Sequence, residues 1–312
     1  MSRRSLASRA AVVAVGLFAL WASLAFAQTA APDPAALVRQ ARKLNLEGKQ
    51  DEAIATYREA LMRAPDLYDA HYGLGIALDL TGAYGQARQS FMKAIQLAPD
   101  ESKEQALSAM AVSYAFSGDG REASSFYRQV FDRQTAADNF SAAAETANAL
   151  GRVYLETGDL DNAAKWYQTG YETTRRQKAM SSAQIDLADL RWAHAQARIA
   201  ARRGNAATAR AQVAEVTRLL DKGTNEEQRI QLPYLLGYVG LFLKDYAGAV
   251  TALRQADQQD PFVLFLLAQA QEKSGDAAGA RELYEKVLAS NAHSLNNAFA
   301  RRTARSKLAA TR

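Results

Sequence analysis

Residues 36–66 read ALVRQARKLNLEGKQDEAIATYREALMRAPD, and residues 71–100 read HYGLGIALDLTGAYGQARQSFMKAIQLAPD. The two stretches say nearly the same thing. Ala41 and Gly75, Gly48 and Gly82, Ala53 and Ala87, Tyr57 and Phe91, Ala60 and Ala94, and Pro65 and Pro99 each stand 34 residues apart. A fixed period of that length marks a repeat architecture. Each copy predicts two helices packed antiparallel. A small residue in the first lets the second come close, and a glycine ends the first. The second helix then buries an alanine and an aromatic. One such unit cannot cover its own apolar face, so units must stack.

The period, the small residue, the aromatic and the closing proline resemble the tetratricopeptide repeat. The resemblance runs over about residues 36–290 and is specific for repeats one, two, four and seven. Repeat three carries Ala111, Tyr114, Gly118 and Tyr127; repeat four Gly151, Tyr154, Gly158, Ala163 and Tyr167. Repeat five (Ala197, Gly204, Ala209) has Val213 in place of the aromatic. Repeat six has Gly237, a Lys244-Asp245-Tyr246 turn, Ala249 and Pro261; repeat seven has Ala268, Gly275, Ala280 and Tyr284. The resemblance implies an all-α protein, a right-handed α-solenoid of about seven helix hairpins over 35–290. Residues 291–312 read as a capping helix and basic tail. It further implies a concave groove, lined by the first helices, that binds a protein or peptide. The spacing from Gly118 to Gly158 is 40 residues and from Gly158 to Gly204 is 46. The extra residues, at 135–141 and 173–182, predict longer helices or loops, or a boundary between two domains near 173–182.

Before the repeats comes an address. Arg3, Arg4 and Arg9 precede an uncharged apolar run, Ala10 to Ala27, closing on Ala25-Phe26-Ala27. That order predicts a signal peptide over 1–27, followed by a spacer over 28–34, and an exported, periplasmic chain. The alternative is an uncleaved anchor, because about 18 apolar residues just cross a bilayer. The paired arginines also resemble a weak twin-arginine signal. In 312 residues there is no cysteine, which excludes disulfides and thiolate chemistry. The net charge of +5 is carried by the ends: without three arginines before Gln28 and five bases after Asn291, 30 bases face 33 acids. Nucleic-acid binding needs a basic face, and none is general here. Membrane contact is expected only through an uncleaved N-terminus or the basic tail.

Groove-facing positions on the first helices give two patches. Asn148, Arg152, Arg191, His194, Arg198 and Arg202 can hold a carboxylate or acidic peptide; as a solvated face they would pair with Glu145, Glu156 and Asp189. Tyr234, Tyr238, Phe242, Phe262 and Phe265 form an aromatic stripe of the kind that anchors partners, or that packs one repeat on the next. Tyr72 and Phe116 extend the groove toward the N-terminus. Family members that hold a C-terminal carboxylate use a Lys and Asn clamp; Arg42 and Asn45 lack its spacing. No motif for metal, phosphate or nucleophilic catalysis occurs. Ser90 and Lys93 fit S-x-x-K by spacing alone. No cofactor is expected. The reading is a non-enzymatic exported adaptor for a cell-envelope partner, with a self-associating module or an envelope-polymer hydrolase as alternatives.

Overall fold

The computed structural model describes residues 33–310. The signal-peptide reading and nearly all of the spacer lie outside the described residues. Fifteen α-helices follow one another, with no strand among the described residues. They pair in chain order: α1 (Pro34–Leu46) with α2 (Gln50–Arg63), α3 (Tyr68–Thr81) with α4 (Tyr84–Leu97), α5 (Asp100–Ser117) with α6 (Gly120–Ala136), and α7 (Phe140–Thr157) with α8 (Leu160–Thr174). Then come α9 (Ser182–Arg202) with α10 (Ala206–Leu220), α11 (Leu232–Phe242) with α12 (Tyr246–Leu253), and α13 (Pro261–Lys273) with α14 (Ala277–Ala289). A last helix, α15 (Leu295–Ala310), stands alone. That is a solenoid of seven hairpins with a C-terminal helix. Asp33–Arg312 forms one compact unit, with no break near 173–182. The extra residues of the middle repeats go into helix length, with 17 residues in α6, 18 in α7 and 21 in α9, and into the connection over 175–181.

The local chemistry explains the hairpins. Gly75 stands where a β-carbon would lie 2.7 Å from the Phe91 ring, so the small residue is what lets α4 close on α3. Gly151 does the same for Tyr167, at 2.8 Å. Six of the seven intra-hairpin turns put a glycine at positive φ, as at Gly82 (+94°), where the backbone is left-handed. The exception is Lys244, at φ 67°. Asp119, Asp159 and Asp276 each accept a hydrogen bond from the backbone N–H three residues on, capping the next helix.

The last helix goes further than a cap. It packs on α13 and α14, and also on α5. Its approach segment reaches the first hairpins. Gln50 donates to the Asn291 side chain at 3.2 Å. His293 Nε2 meets the Asp79 carboxylate at 2.8 Å, with Asp79 fully buried. Ser113 donates to the other oxygen of Asp79 at 2.9 Å. Arg301 is buried and donates to the Leu80, Leu288 and Ser290 carbonyls. Arg305 and Arg302 lie against Gly82 and Gly118, at the carbonyl ends of α3 and α5, where helix dipoles favour cations. In the basic tail, expected as an exposed face or a lipid contact, Arg301 is buried on a helix end while Arg302, Arg305 and Lys307 stay exposed.

Candidate functional site

All eleven residues singled out in sequence lie on first helices: Asn148 and Arg152 on α7, Arg191, His194, Arg198 and Arg202 on α9, Tyr234, Tyr238 and Phe242 on α11, and Phe262 and Phe265 on α13. The structure merges the two patches into one. The guanidinium of Arg152 sits 4.5 Å over the Phe262 ring, and that of Arg202 4.6 Å over Phe242. Arg198 lies 5.2 Å from the Tyr167 ring and donates to its hydroxyl at 3.0 Å. His194 stacks on Tyr234 at 5.8 Å. The basic stripe of α9 therefore packs on aromatics of its neighbours. Such pairs are worth roughly 0.5–2 kcal/mol each, more when desolvated.

One expectation needs correcting. Tyr238 and Phe262 are fully buried, and Tyr234, Phe265 and Arg198 are 7%, 8% and 6% exposed. They are packing between repeats, not free anchors. The physical reason is that α9, α11 and α13 crowd together here, so a face open on one hairpin is closed by the next. Arg152, His194, Arg202 and Phe242 are half-buried; Asn148 is partly open and Arg191 exposed. Phe116 is fully buried and Tyr72 half-buried.

The charges do not balance. Glu145 lines a cavity with Arg191, His194 and Arg198, and Glu156 meets the stripe directly. It pairs with Arg202 at 3.4 Å and accepts from the Tyr238 hydroxyl at 3.3 Å. Asp189, read as a partner for the stripe, pairs with Arg175 at 3.1 Å. Burial opposes the charge on Arg152, but Tyr234 and Glu156 outweigh it and hold its pKa above the ordinary value. Burial, together with Arg198 and Arg152, pushes His194 well below the ordinary histidine value, so its ring is neutral at neutral pH.

Two openings flank the stripe. A cavity of about 290 Å³ on the groove is lined by Asn148, Arg191, His194, Arg198, Gln228 and Gln231. A second, of about 440 Å³, is enclosed by α5, α7, α9, α11, α13 and α15, with Arg202, Phe242, Phe262, Phe265 and Arg302 on its wall. Gln228 and Gln231 belong to a 3-10 turn, Glu226–Gln231, and no repeat pattern marks them. The contribution of α15 was equally hidden, because it rests on contacts across the molecule. Of the S-x-x-K pair, Ser90 is buried and Lys93 exposed. Among the described residues no group of three or more His, Asp or Glu could hold a metal ion. No described helix is long and apolar enough to cross a membrane.

Three tetratricopeptide repeat models match the chain, over residues 47–102, 102–176 and 262–294. A tetratricopeptide repeat protein from Parabacteroides merdae superposes with a TM-score of 0.51 at 13% identity, covering 81% of this chain and 91% of that one. A kinesin light chain of Podosopora anserina, described as having nearly identical TPR-like repeats, gives 0.50 at 16%, covering 62% and 99%. At such identities the likeness is one of fold. No curated protein matches.

Proposed function

The chain belongs to the tetratricopeptide repeat family, and from that premise we propose that it is an exported, non-catalytic adaptor. It holds a peptide or helix of a cell-envelope partner in the groove of repeats four to six and serves the assembly of an envelope machine. The observation that carries the reading is the groove cavity of about 290 Å³, floored by buried Arg198 and rimmed by Asn148, Arg191 and Gln231. Buried cations give it specificity, and open polar groups give a peptide backbone its hydrogen bonds. Ile230, 63% exposed, lines a neighbouring cavity that shares Gln231 with it. Export is supported by the three arginines, the apolar run and the small-x-small triplet before Gln28. A non-catalytic role is supported by the burial of Ser90 and by a family built for binding.

The test is a cross-linked pull-down from envelope extract with the chain from Gln28 onward. It runs beside a variant carrying Asn148→Ala and Arg191→Ala, both at accessible positions. One partner captured by the wild type, and lost by a variant that melts like it, supports the groove. Identical capture by both overturns it. Fractionation of cells carrying the full chain tests export: material held entirely in the cytosol overturns that part.

A further inference from the structure

Two opposite charges on the groove are left open. Glu145 on α7 and Arg191 on α9 are exposed, and neither makes a hydrogen bond or ion pair among the described residues. The carboxylates nearest Arg191 in sequence are engaged elsewhere, Asp189 with Arg175 at 3.1 Å and Asp186 with Lys222 at 2.5 Å. Asn148, one turn along α7 from Glu145, is half-buried and also makes no hydrogen bond. All three residues line two cavities at once. One is the groove cavity of about 290 Å³. The other, of about 180 Å³, is completed by Gln177 and Met180 from the 175–181 connection and by Gln184 and Trp192 of α9. The shared residues put the two cavities side by side.

The lining says what can lie across them. Trp192 stacks on Tyr171 at 5.9 Å, and the Tyr171 hydroxyl donates to Asp189 at 3.0 Å, which fixes an aromatic wall. Side-chain amides of Gln177, Gln228 and Gln231 suit a peptide backbone, which needs both donors and acceptors. The charges then select. A purely anionic occupant meets Glu145 and a purely cationic one meets Arg191, so a single sign is opposed wherever it crosses. An occupant bearing both signs is favoured by both. In the groove cavity Arg191 and Arg198 outnumber Glu145, which places the acidic group there. In the smaller cavity Glu145 faces Arg191 alone, which leaves the carboxylate for a basic group. Open ion pairs add modest affinity, so this is a device for selection.

We propose that Glu145 and Arg191 read a charge pair in the groove's occupant: a peptide segment with an acidic side chain beside Arg191 and a basic one, close in sequence, beside Glu145. This deepens the groove reading and rests on it. The experiment uses the chain from Gln28 onward, whose residues from Asp33 form one compact unit. Its tryptophans are Trp166 and Trp192, so Trp166→Phe identifies the Trp192 indole N–H signal by NMR. The probes are acetyl-Glu-Ala-Lys-amide and acetyl-Lys-Ala-Glu-amide, for the two chain directions, then acetyl-Glu-Ala-Gln-amide, acetyl-Gln-Ala-Lys-amide and acetyl-Gln-Ala-Gln-amide. One charge-pair peptide is expected to move the signal saturably, binding about threefold more tightly than either singly charged peptide and about tenfold more tightly than the neutral one. Arg191→Gln is expected to abolish the preference for Glu, and Glu145→Gln the preference for Lys. An unmoved signal, equal binding of a singly charged or neutral peptide, or preferences that survive both substitutions overturn the charge reading. In the pull-down, a partner lost by the Asn148→Ala and Arg191→Ala variant but retained undiminished by a folded Glu145→Gln overturns the charge reading and leaves the groove. Absence of any groove partner, with the charge-pair peptide still preferred, leaves the charge reading and overturns the envelope adaptor. Should either substitution lower the melting temperature, the wild-type peptide series decides.

Discussion

At the scale of single residues, close approach and burial set the consequences. A leucine at position 75 would drive its β-carbon to 2.7 Å from the Phe91 ring before the rest of the side chain is placed. Gly75→Leu is therefore expected to destabilise by roughly 1–3 kcal/mol in chemical denaturation; a neutral result would mean that α3 and α4 do not close there. His194 makes a different prediction. Its folded-state pKa lies below 6.5, pushed down by burial and then by Arg198 and Arg152. The unfolded chain takes up a proton near pH 6.5 that the folded chain refuses. The stability is present above that pH and falls on acidification, by at most about 1.4 kcal/mol per pH unit from this residue. His194→Gln removes that share, so below pH 6.5 the wild-type stability should fall more steeply with acid than the variant's. Parallel slopes would mean that His194 titrates normally.

At the scale of elements, the turn inside each hairpin is the informative unit. Six use glycine at positive φ and one uses Lys244. Lys244→Gly is expected to stabilise by about 1 kcal/mol, since a left-handed residue with a β-carbon is strained; a loss in the melting temperature would refute this. The same turns made the fold legible. Gly48, Gly82, Gly118, Gly158 and Gly275 and the small residues before them announced the hairpins, because close packing and left-handed turns tolerate few residue types. The groove was only partly legible. A helical period says that Tyr238 and Phe262 share a face with neighbours on their own helix. It does not say that another repeat covers that face, which is why these rings are core. Repeats five and six, where Val213 replaces the aromatic and Lys244 the glycine, fall outside the matched family models and still form α9 to α12. Neighbours on both sides supply the burial that local pattern lacks.

At the scale of the molecule, repeat arrays are ordinarily quasi-one-dimensional, each unit touching only the next. Here residues 214 to 241 positions apart are joined, through His293 to Asp79, Arg301 to Leu80 and Gln50 to Asn291. His293→Ala leaves a buried carboxyl without its main partner, and is expected to cost about 3 kcal/mol of unfolding free energy, measured with urea. The loss should be shared by probes in the first and last hairpins alike; a loss confined to the C-terminal hairpin would mean that the ends are not coupled. No sequence pattern could have announced this, because the partners share neither an element nor a period. The closure also imposes an order in time. Synthesis runs from the N-terminus, so the first three hairpins are complete while the segment that holds them is still unmade. Until residue 293 arrives, Asp79 keeps its Ser113 hydrogen bond but lacks His293, and the carbonyl ends of α3 and α5 lack their arginines. Residues 291–310 thus act as a clasp: a variant ending at Ser290 keeps all seven hairpins and lacks the contacts to Asp79, Leu80 and Gln50.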